Sequence, residues 1–333
     1  MKNKNKKSYL INGLALVLLF ILLNVLIKNN VISRYYQGIM VFVFINVIVA
    51  SSLNLTIGFL GQLALGHAGF MAIGAYGSAL FSMYIKEMAL PPTALLITSL
   101  LVGGLLTGII GYLIGLPALR LRGDYLAIIT LGFGEIIRVI INNLKITRGA
   151  HGLTGIDKLV NVTNSFWIAV VVIVILYAII NSRHGRAIMS IREDEIAAEA
   201  VGINTVKYKS MGFTISAFFA GIGGGLFAHY MAYLDPNTFN FMKSVEIVTI
   251  VVLGGMGSLT GTIIASVVLT ALPEMLRGFA EYRLLVYSFV LIIMMIFRPQ
   301  GILGRKEFSI NGLIKHSKNI IKKTGDNAEG GEL

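Results

Sequence analysis

Two glycine clusters stand out among the residues of this chain that could do chemistry. Gly58-Phe59-Leu60-Gly61-Gln62-Leu63 and Gly254-Gly255-Met256-Gly257-Ser258-Leu259 share the pattern G-x-x-G-x-L, and each follows one apolar run and precedes another. Glycines that interrupt an apolar helix free backbone groups, which in a membrane must be buried in protein or line a cavity. Paired interruptions in two halves of a membrane chain point to a transport site built from broken helices. Close helix packing is the competing reading of the same glycines, and the echo alone leaves both open. Neither cluster continues into Gly-Lys-Ser/Thr, so neither is a P-loop, and the chain does not hydrolyse ATP by itself. Ionisable residues inside apolar runs are few and costly. Glu135 and Arg138 are three apart and can pair on one helix face, and Asp124 follows Gly123 as a helix N-cap would. Lys243 and Glu246 fall near the start of a late run, and His229 ends another, at an expected interface with water. None of these forms the dense Asp/Glu/His chain of a proton pump.

The elements that must position these residues follow from composition. Of 333 residues, 56% are hydrophobic and only 13% charged, whereas soluble domains carry roughly 25% charged residues. That excludes a soluble enzyme, a disordered chain and a nucleic-acid-binding domain, and makes the lipid bilayer the first partner. The net charge of +12 is then read as topology, because basic residues collect in cytoplasmic loops. With no Cys there is no disulfide framework or thiolate nucleophile. After Lys2, Lys4, Lys6 and Lys7, the uncharged run Ser8–Ile27 is long enough to span a bilayer. It lacks a small-residue cleavage site, so a retained helix is preferred to a signal peptide.

Further apolar runs at 36–57, 66–85, 93–118, 124–142, 164–181, 210–232, 245–272 and 282–297 bring the segments to nine. Both ends are basic and expected in the cytoplasm, so one segment must be broken or re-entrant. The 245–272 run, interrupted at Gly254–Gly261, is the candidate, entering from outside. The N-terminus, Arg120 and Arg122, the stretch 182–209 and the tail then hold 18 of the 28 basic residues. Lys28, Arg34, Lys145, Arg148 and Lys158 fall outside that set. The expected fold class is an all-α polytopic bundle of about 8–10 spans, some broken. Residues 1–304 form one membrane domain, and 305–333 a basic, then acidic cytoplasmic tail, disordered beyond Lys323.

The stretch between Asn181 and Ser210 does not belong in a membrane. It holds five basic and four acidic residues, with Ile188, Ile191, Ile196, Ala197 and Val201 at roughly helical spacing. Two short amphipathic helices, broken near Glu193–Asp194 and stopped at Gly202, are predicted. A purely lipid-binding helix is strongly basic. Mixed charge with a modest apolar face fits a groove on a cytoplasmic protein better.

Here the chain resembles a known family. Ile196-Ala197-Ala198-x-x-x-Gly202 is similar to the E-A-A-x-x-x-G loop by which permeases of bacterial ABC importers engage their ATPases, although Ile196 stands where that pattern has Glu and Glu195 lies one place earlier. Asn54–Phe70, Gly123–Gly132, Gly149–Ile156, Arg192-Glu193-Asp194-Glu195, Gly254–Gly261 and Arg298-Pro299-Gln300-Gly301-Ile302-Leu303 resemble, in order, the LivM-type permease of branched-chain amino acid ABC transporters. The resemblance runs from about residue 50 to 304. It implies the ABC importer permease fold in the bacterial inner membrane, a homologous LivH-type permease beside it, and LivG- and LivF-type ATPases below. It also implies an extracytoplasmic amino-acid-binding protein that delivers leucine, isoleucine or valine. The chain itself is then no enzyme and binds no cofactor, ATP being hydrolysed by the partners.

On this resemblance the coupling residues are Arg186, Ile191, Arg192, Glu193, Asp194, Glu195, Ala197, Ala198 and Gly202. The substrate pathway is expected at the broken helices. Freed N–H groups at Gly58, Gly61, Gly66 and Gly69 would meet a carboxylate, and Phe70 would accept a branched side chain. Gln62 and His67 are the polar side chains there, and Gly254, Gly255 and Gly257 the second break. A lone His among glycines is more often a hydrogen-bonded structural residue than a ligand contact. The Glu135–Arg138 pair is a structural pair that can meet the second permease, and the polar stretch 143–163 is a candidate to receive the binding protein. Related permeases carry urea, short amides or other amino acids, so cargo stays open. An ion-coupled carrier would have no use for the long cytoplasmic helix pair. A channel would show a charge ring or filter repeat, and an intramembrane enzyme a metal cluster or a nucleophile with its base.

Overall fold

The computed structural model describes residues 2–88, 90–121 and 123–275, and beyond them 282, 288–289, 292–293, 296–298 and 300–304. Arg122, most of the apolar run 282–297 and the tail from 305, with the expectations placed on them, lie outside the described residues. Residues 1–37 and 38–305 fall into different compact units. In the first, α1 (Lys2–Lys28) is one helix that covers the apolar run Ser8–Ile27.

The second unit is built almost wholly of helices: α2 (Arg34–Asn54, its first turn in the first unit), α3 (His67–Ile85), α4 (Pro92–Ala118), α5 (Asp124–Asn143) and α6 (Val162–Asn181). Then come α7 (Arg183–Glu193), α8 (Glu195–Ala200), α9 (Thr205–Met231), α10 (Phe241–Gly254) and α11 (Leu259–Met275). Among the described residues, five stretches are long and apolar enough to cross a membrane: α2 with the turn that extends it, α3, α4, α6 and α9. Four helix starts sit on polar caps. The side chains of Ser182, Asp194, Asn204 and Asn240 accept hydrogen bonds from first-turn N–H groups of α7, α8, α9 and α10. Asp124 does not cap α5 as expected. Gly123, at φ 59°, makes that turn, and Asp124 becomes the first helical residue.

The centre is α9, packed against α3 and α4 through small residues. A methyl on Gly74 would strike the Gly221 backbone, one on Gly224 the Met71 carbonyl, and one on Gly111 the Ala217 side chain. Small residues that let backbones approach this closely are the usual glue between membrane helices. His229, expected at an interface, is instead fully buried. Its Nε2 lies 3.2 Å from Ser78 Oγ and 3.3 Å from Ser99 Oγ, and its Nδ1 lies 3.1 Å from the Asp157 carbonyl. Serines on α3 and α4 face the end of α9, so the ring finds its partners inside the protein. Outward faces are apolar, with Leu105, Ile109 and Leu113 on α4 and Ile128, Ile136 and Val139 on α5 exposed, as surfaces toward lipid are.

The two ends of the bundle differ. At one, α7 and α8 join α6 to α9. At the other, the two-residue strands β1 (Leu153–Thr154) and β2 (Tyr233–Leu234) pair antiparallel, Leu153 opposite Leu234. The predicted pair on α5 forms near the strand end. Arg138 Nε meets Glu135 Oε2 at 2.7 Å, and Arg138 Nη1 donates to Asn237 Oδ1 at 3.1 Å.

Candidate functional site

Both glycine clusters break their helices, and the breaks meet. α10 has 14 residues, roughly 21 Å at 1.5 Å per residue, which is short of a ~30 Å hydrocarbon core. The chain turns at Gly255 (φ 113°) and Gly257 (φ 91°) and returns as α11, with Gly254 and Gly261 so close that neither tolerates a side chain. The expected interruption of 245–272 is therefore a helical hairpin. In the first half, α2 loosens after Asn54 into a π-helical turn, Leu55–Phe59. Residues 60–66 are non-helical, and α3 begins at His67.

Asn54 joins the two breaks. It is fully buried, and its Nδ2 donates to the Ser258 carbonyl at 2.9 Å and to Thr262 Oγ1 at 2.8 Å. Its Oδ1 accepts from the Gly257 N–H at 2.9 Å. Asn46, eight residues earlier on the same helix face, donates to Thr270 Oγ1 at 2.9 Å. Thus α2 and α11 run antiparallel along a polar seam. Gly58 lies at the contact, where a side chain would overlap Asn54 and the Gly257 nitrogen.

The surface helices reach the same place. From the last turn of α7, Arg192 Nη1 donates to the Gly58 carbonyl at 2.7 Å, while Nη2 pairs with Glu193 Oε1 at 2.6 Å. Its aliphatic stem covers Gly61 (φ 74°), and its guanidinium lies beside Gly257. Behind the turn, Ile302 N–H donates to the Leu253 carbonyl at 2.8 Å and Leu303 N–H to the Gly254 carbonyl at 3.4 Å, with Gly301 against Gly255. Residues singled out separately for pathway and coupling, namely Gly58, Gly61, Gly254, Gly255 and Gly257 with Arg192, therefore form one junction.

The predicted helix pair is present, broken at Asp194 and stopped at Gly202 (φ 86°). Lys209, 3% exposed, anchors it by an ion pair to Glu195 Oε1 at 2.8 Å, and Thr205 Oγ1 donates to Glu199 Oε1 at 2.5 Å. Asn204 and this buried lysine also explain why α9 starts at 205 rather than 210. Arg186 is exposed and donates to the Asn181 carbonyl at 3.2 Å. Glu193 and Asp194 are exposed too, Asp194 as the α8 cap. Two residues face the other way from a docking surface. Ile191 and Ala198 are buried against the bundle, while Ile196 (72% exposed), Ala197, Ala200, Val201 (77%) and Val206 face outward.

The start of α3 forms a second cluster. His67 is buried, with Nε2 2.8 Å from Ser52 Oγ, whose own hydroxyl donates to the Val49 carbonyl. The Ala68 N–H donates to Ser244 Oγ of α10 at 3.1 Å, and the Gly69 N–H to the Gly66 carbonyl at 3.1 Å. Gly66 and Gly69 touch the α5 backbone at Thr130 and Gly134. Phe70 packs its ring on Phe213, centroids 5.4 Å apart. Gln62 is half-buried, and its N–H donates to the Thr56 carbonyl at 3.0 Å. Protein groups thus occupy the helix end that looked open from sequence. Sequence reasoning missed Asn46 altogether and took Asn54 only as the first residue of the 54–70 segment, with no role for its amide. Their signal was available, since two amides eight apart share one face of an otherwise apolar run.

Long apolar helices, two of their segments broken and locked to a surface helix pair, define a multi-pass membrane protein of the transport class. The chain belongs to the family described as branched-chain amino acid transport system / permease component, which matches residues 35–298. It is similar to the high-affinity branched-chain amino acid transport system permease protein LivM of Salmonella typhimurium, 38% identical over 307 residues that cover 82% of this chain and 71% of that protein. The LivM of Escherichia coli is 37% identical over the same coverage. The permease protein LivH of Salmonella typhimurium is 26% identical over 286 residues, 78% of this chain and 91% of that one. No solved structure matches the chain.

Proposed function

We propose that this chain is one of two homologous permease subunits of an ATP-driven importer of leucine, isoleucine and valine. Similarity to both LivM and LivH proteins supports a paired arrangement. The α7–α8 end faces the cytoplasm and two ATPase subunits, and the strand end faces outside and receives a loaded binding protein. The chain supplies the path and hydrolyses nothing itself.

The observation that carries this reading is Arg192. It bonds the Gly58 carbonyl on the inner side of a helix pair whose outer side presents Ile196 and Val201, with Val206 of the adjoining α9 exposed beside them. A partner gripping that outer face moves α7, and α7 is fastened to the point where α2, α10 and α11 meet. Gly58, Gly61, Gly254, Gly255 and Gly257 are then the hinge of the pathway, because only residues without side chains permit this crowding. Gly66, His67, Gly69 and Phe70 hold the start of α3 beside it. The broken helices give two arrangements a place to interconvert without unsatisfied backbone at membrane depth.

The test is assembly and stimulation. Co-expressed with its candidate second permease and ATPases, the chain is expected to purify as a complex whose ATP hydrolysis rises on adding leucine-loaded binding protein. Ile196→Asp/Val201→Asp is expected to release the ATPases and leave the permease pair intact. A permease that never retains an ATPase, or one that retains it unchanged after this substitution, overturns the proposal.

A further inference from the structure

Near the strand end, a cavity of about 330 Å³ opens among α2, α3, α9 and α10, within the roughly 300–1,000 Å³ typical of small-molecule sites. Its composition is divided. Phe42, Ile45, Met71 and Phe227 form an apolar wall. Lys243 and Glu246, on the first turns of α10, also line the cavity as an ion pair, Nζ to Oε2 at 3.0 Å. Asn46 adds an amide whose Nδ2 is held by Thr270 and whose Oδ1 accepts no hydrogen bond from the described residues.

We infer that this cavity is a transit site for a zwitterionic amino acid, with Lys243 taking the carboxylate, Glu246 and the Asn46 Oδ1 the ammonium, and the apolar wall the side chain. The inference rests on the importer reading and adds a place for the cargo within it. An α-amino acid carries opposite charges on one carbon, and an i, i+3 ion pair presents opposite charges at matching separation. When empty, the pair neutralises itself, so no uncompensated charge waits in the protein. When the zwitterion enters, it exchanges one charge pairing for two, and the pair closes again as it leaves. Glu246 is 45% exposed and Lys243 19%, so both remain within reach of water. An ion pair that wet holds its partners weakly, as a transit site requires. Position agrees with sequence of use, since α10 follows directly on β2 and the loop at the end proposed to meet the binding protein. Between the two charged residues, Ser244 accepts from the Ala68 N–H at the start of α3, and the far end of α10 is Gly254 of the junction under Arg192.

Lys243→Gln and Glu246→Gln test this in the full reconstituted complex, with leucine uptake and ATP hydrolysis measured in the same vesicles. Loss of one charge-assisted contact is expected to lower uptake about tenfold or more, while the complex stays assembled and binding-protein-stimulated hydrolysis continues. The exchange Lys243→Glu/Glu246→Lys is expected to recover part of the uptake. Wild-type uptake in both single variants overturns the site. A variant that fails to assemble is replaced by Met242→Cys, which adds a thiol at the cavity mouth of a chain without other cysteines. Leucine delivered by the binding protein is expected to slow its modification by a charged thiol reagent, and an unchanged rate overturns the site. If the wild type shows no ATP-driven uptake, the importer reading fails instead, and the two failures are thereby distinguished.

Discussion

Replacing Arg192 by alanine should separate ATP hydrolysis from transport. The side chain is 18% exposed and makes one bond across the interface between α7 and the glycine junction, Nη1 to the Gly58 carbonyl at 2.7 Å. A hydrogen bond from a charged donor in such a setting is worth about 1.5–3 kcal/mol, which is roughly ten- to hundredfold in an equilibrium. The salt bridge to Glu193 adds little, because that carboxylate is 58% exposed. The outward residues Ile196, Val201 and Val206 are untouched, so the ATPases still bind and turn over. Leucine carried per ATP hydrolysed should therefore fall about tenfold or more in vesicles with every partner present. Arg192→Lys should fall between the two, keeping the charge but losing the planar fork that reaches Gly58 while covering Gly61. Thermal unfolding of the detergent-purified complex provides the control for folding. A wild-type ratio in Arg192→Ala, with the complex intact, refutes transmission through this bond.

Other substitutions probe the remaining links. Asn54→Ala deletes three buried hydrogen bonds and strands the Gly257 N–H; a loss of about 3 kcal/mol is expected and is read as a lower melting temperature. Gly221→Val forces a side chain into Thr107 and the Gly103 backbone, and overpacking of this kind costs about 1–3 kcal/mol, visible as reduced yield of folded protein. Ile196→Asp/Val201→Asp should change stability by no more than about 0.5 kcal/mol, yet lose the ATPases in co-purification. Ile191→Asp/Ala198→Asp places carboxylates among buried residues and should unfold the surface helices, so limited proteolysis within 183–209 separates the two pairs.

Much of the architecture was legible because its signals are local. Apolar runs within the described residues became helices, 245–272 as two of them, whereas the caps Asn204 and Asn240 start α9 and α10 about a turn earlier than hydropathy placed them. Asp194 and Gly202 marked the ends of the short surface helix. What lay hidden depends on residues far apart in the chain. Spacing alone could not tell which side of α7 and α8 faces inward, because the answer comes from α9 and the π-helical turn beneath. Ile191 and Ala198, expected among the coupling residues, are instead buried against the bundle. His229 looked interfacial until serines from two other helices surrounded it. The largest gap was the junction: residues near 54, 192, 257 and 302 carry separate motifs, and no periodicity brings them together. Only the polar amides of α2, matched at Thr262 and Thr270 of α11, hinted at which segments would meet.

The most direct measurement of the importer assignment is labelled leucine uptake into vesicles holding this chain, a second permease, both ATPases and external binding protein, with and without internal ATP. Accumulation that needs ATP and stops when any one component is omitted is expected. Accumulation by this chain alone, driven by an imposed ion gradient and indifferent to ATP, contradicts the assignment.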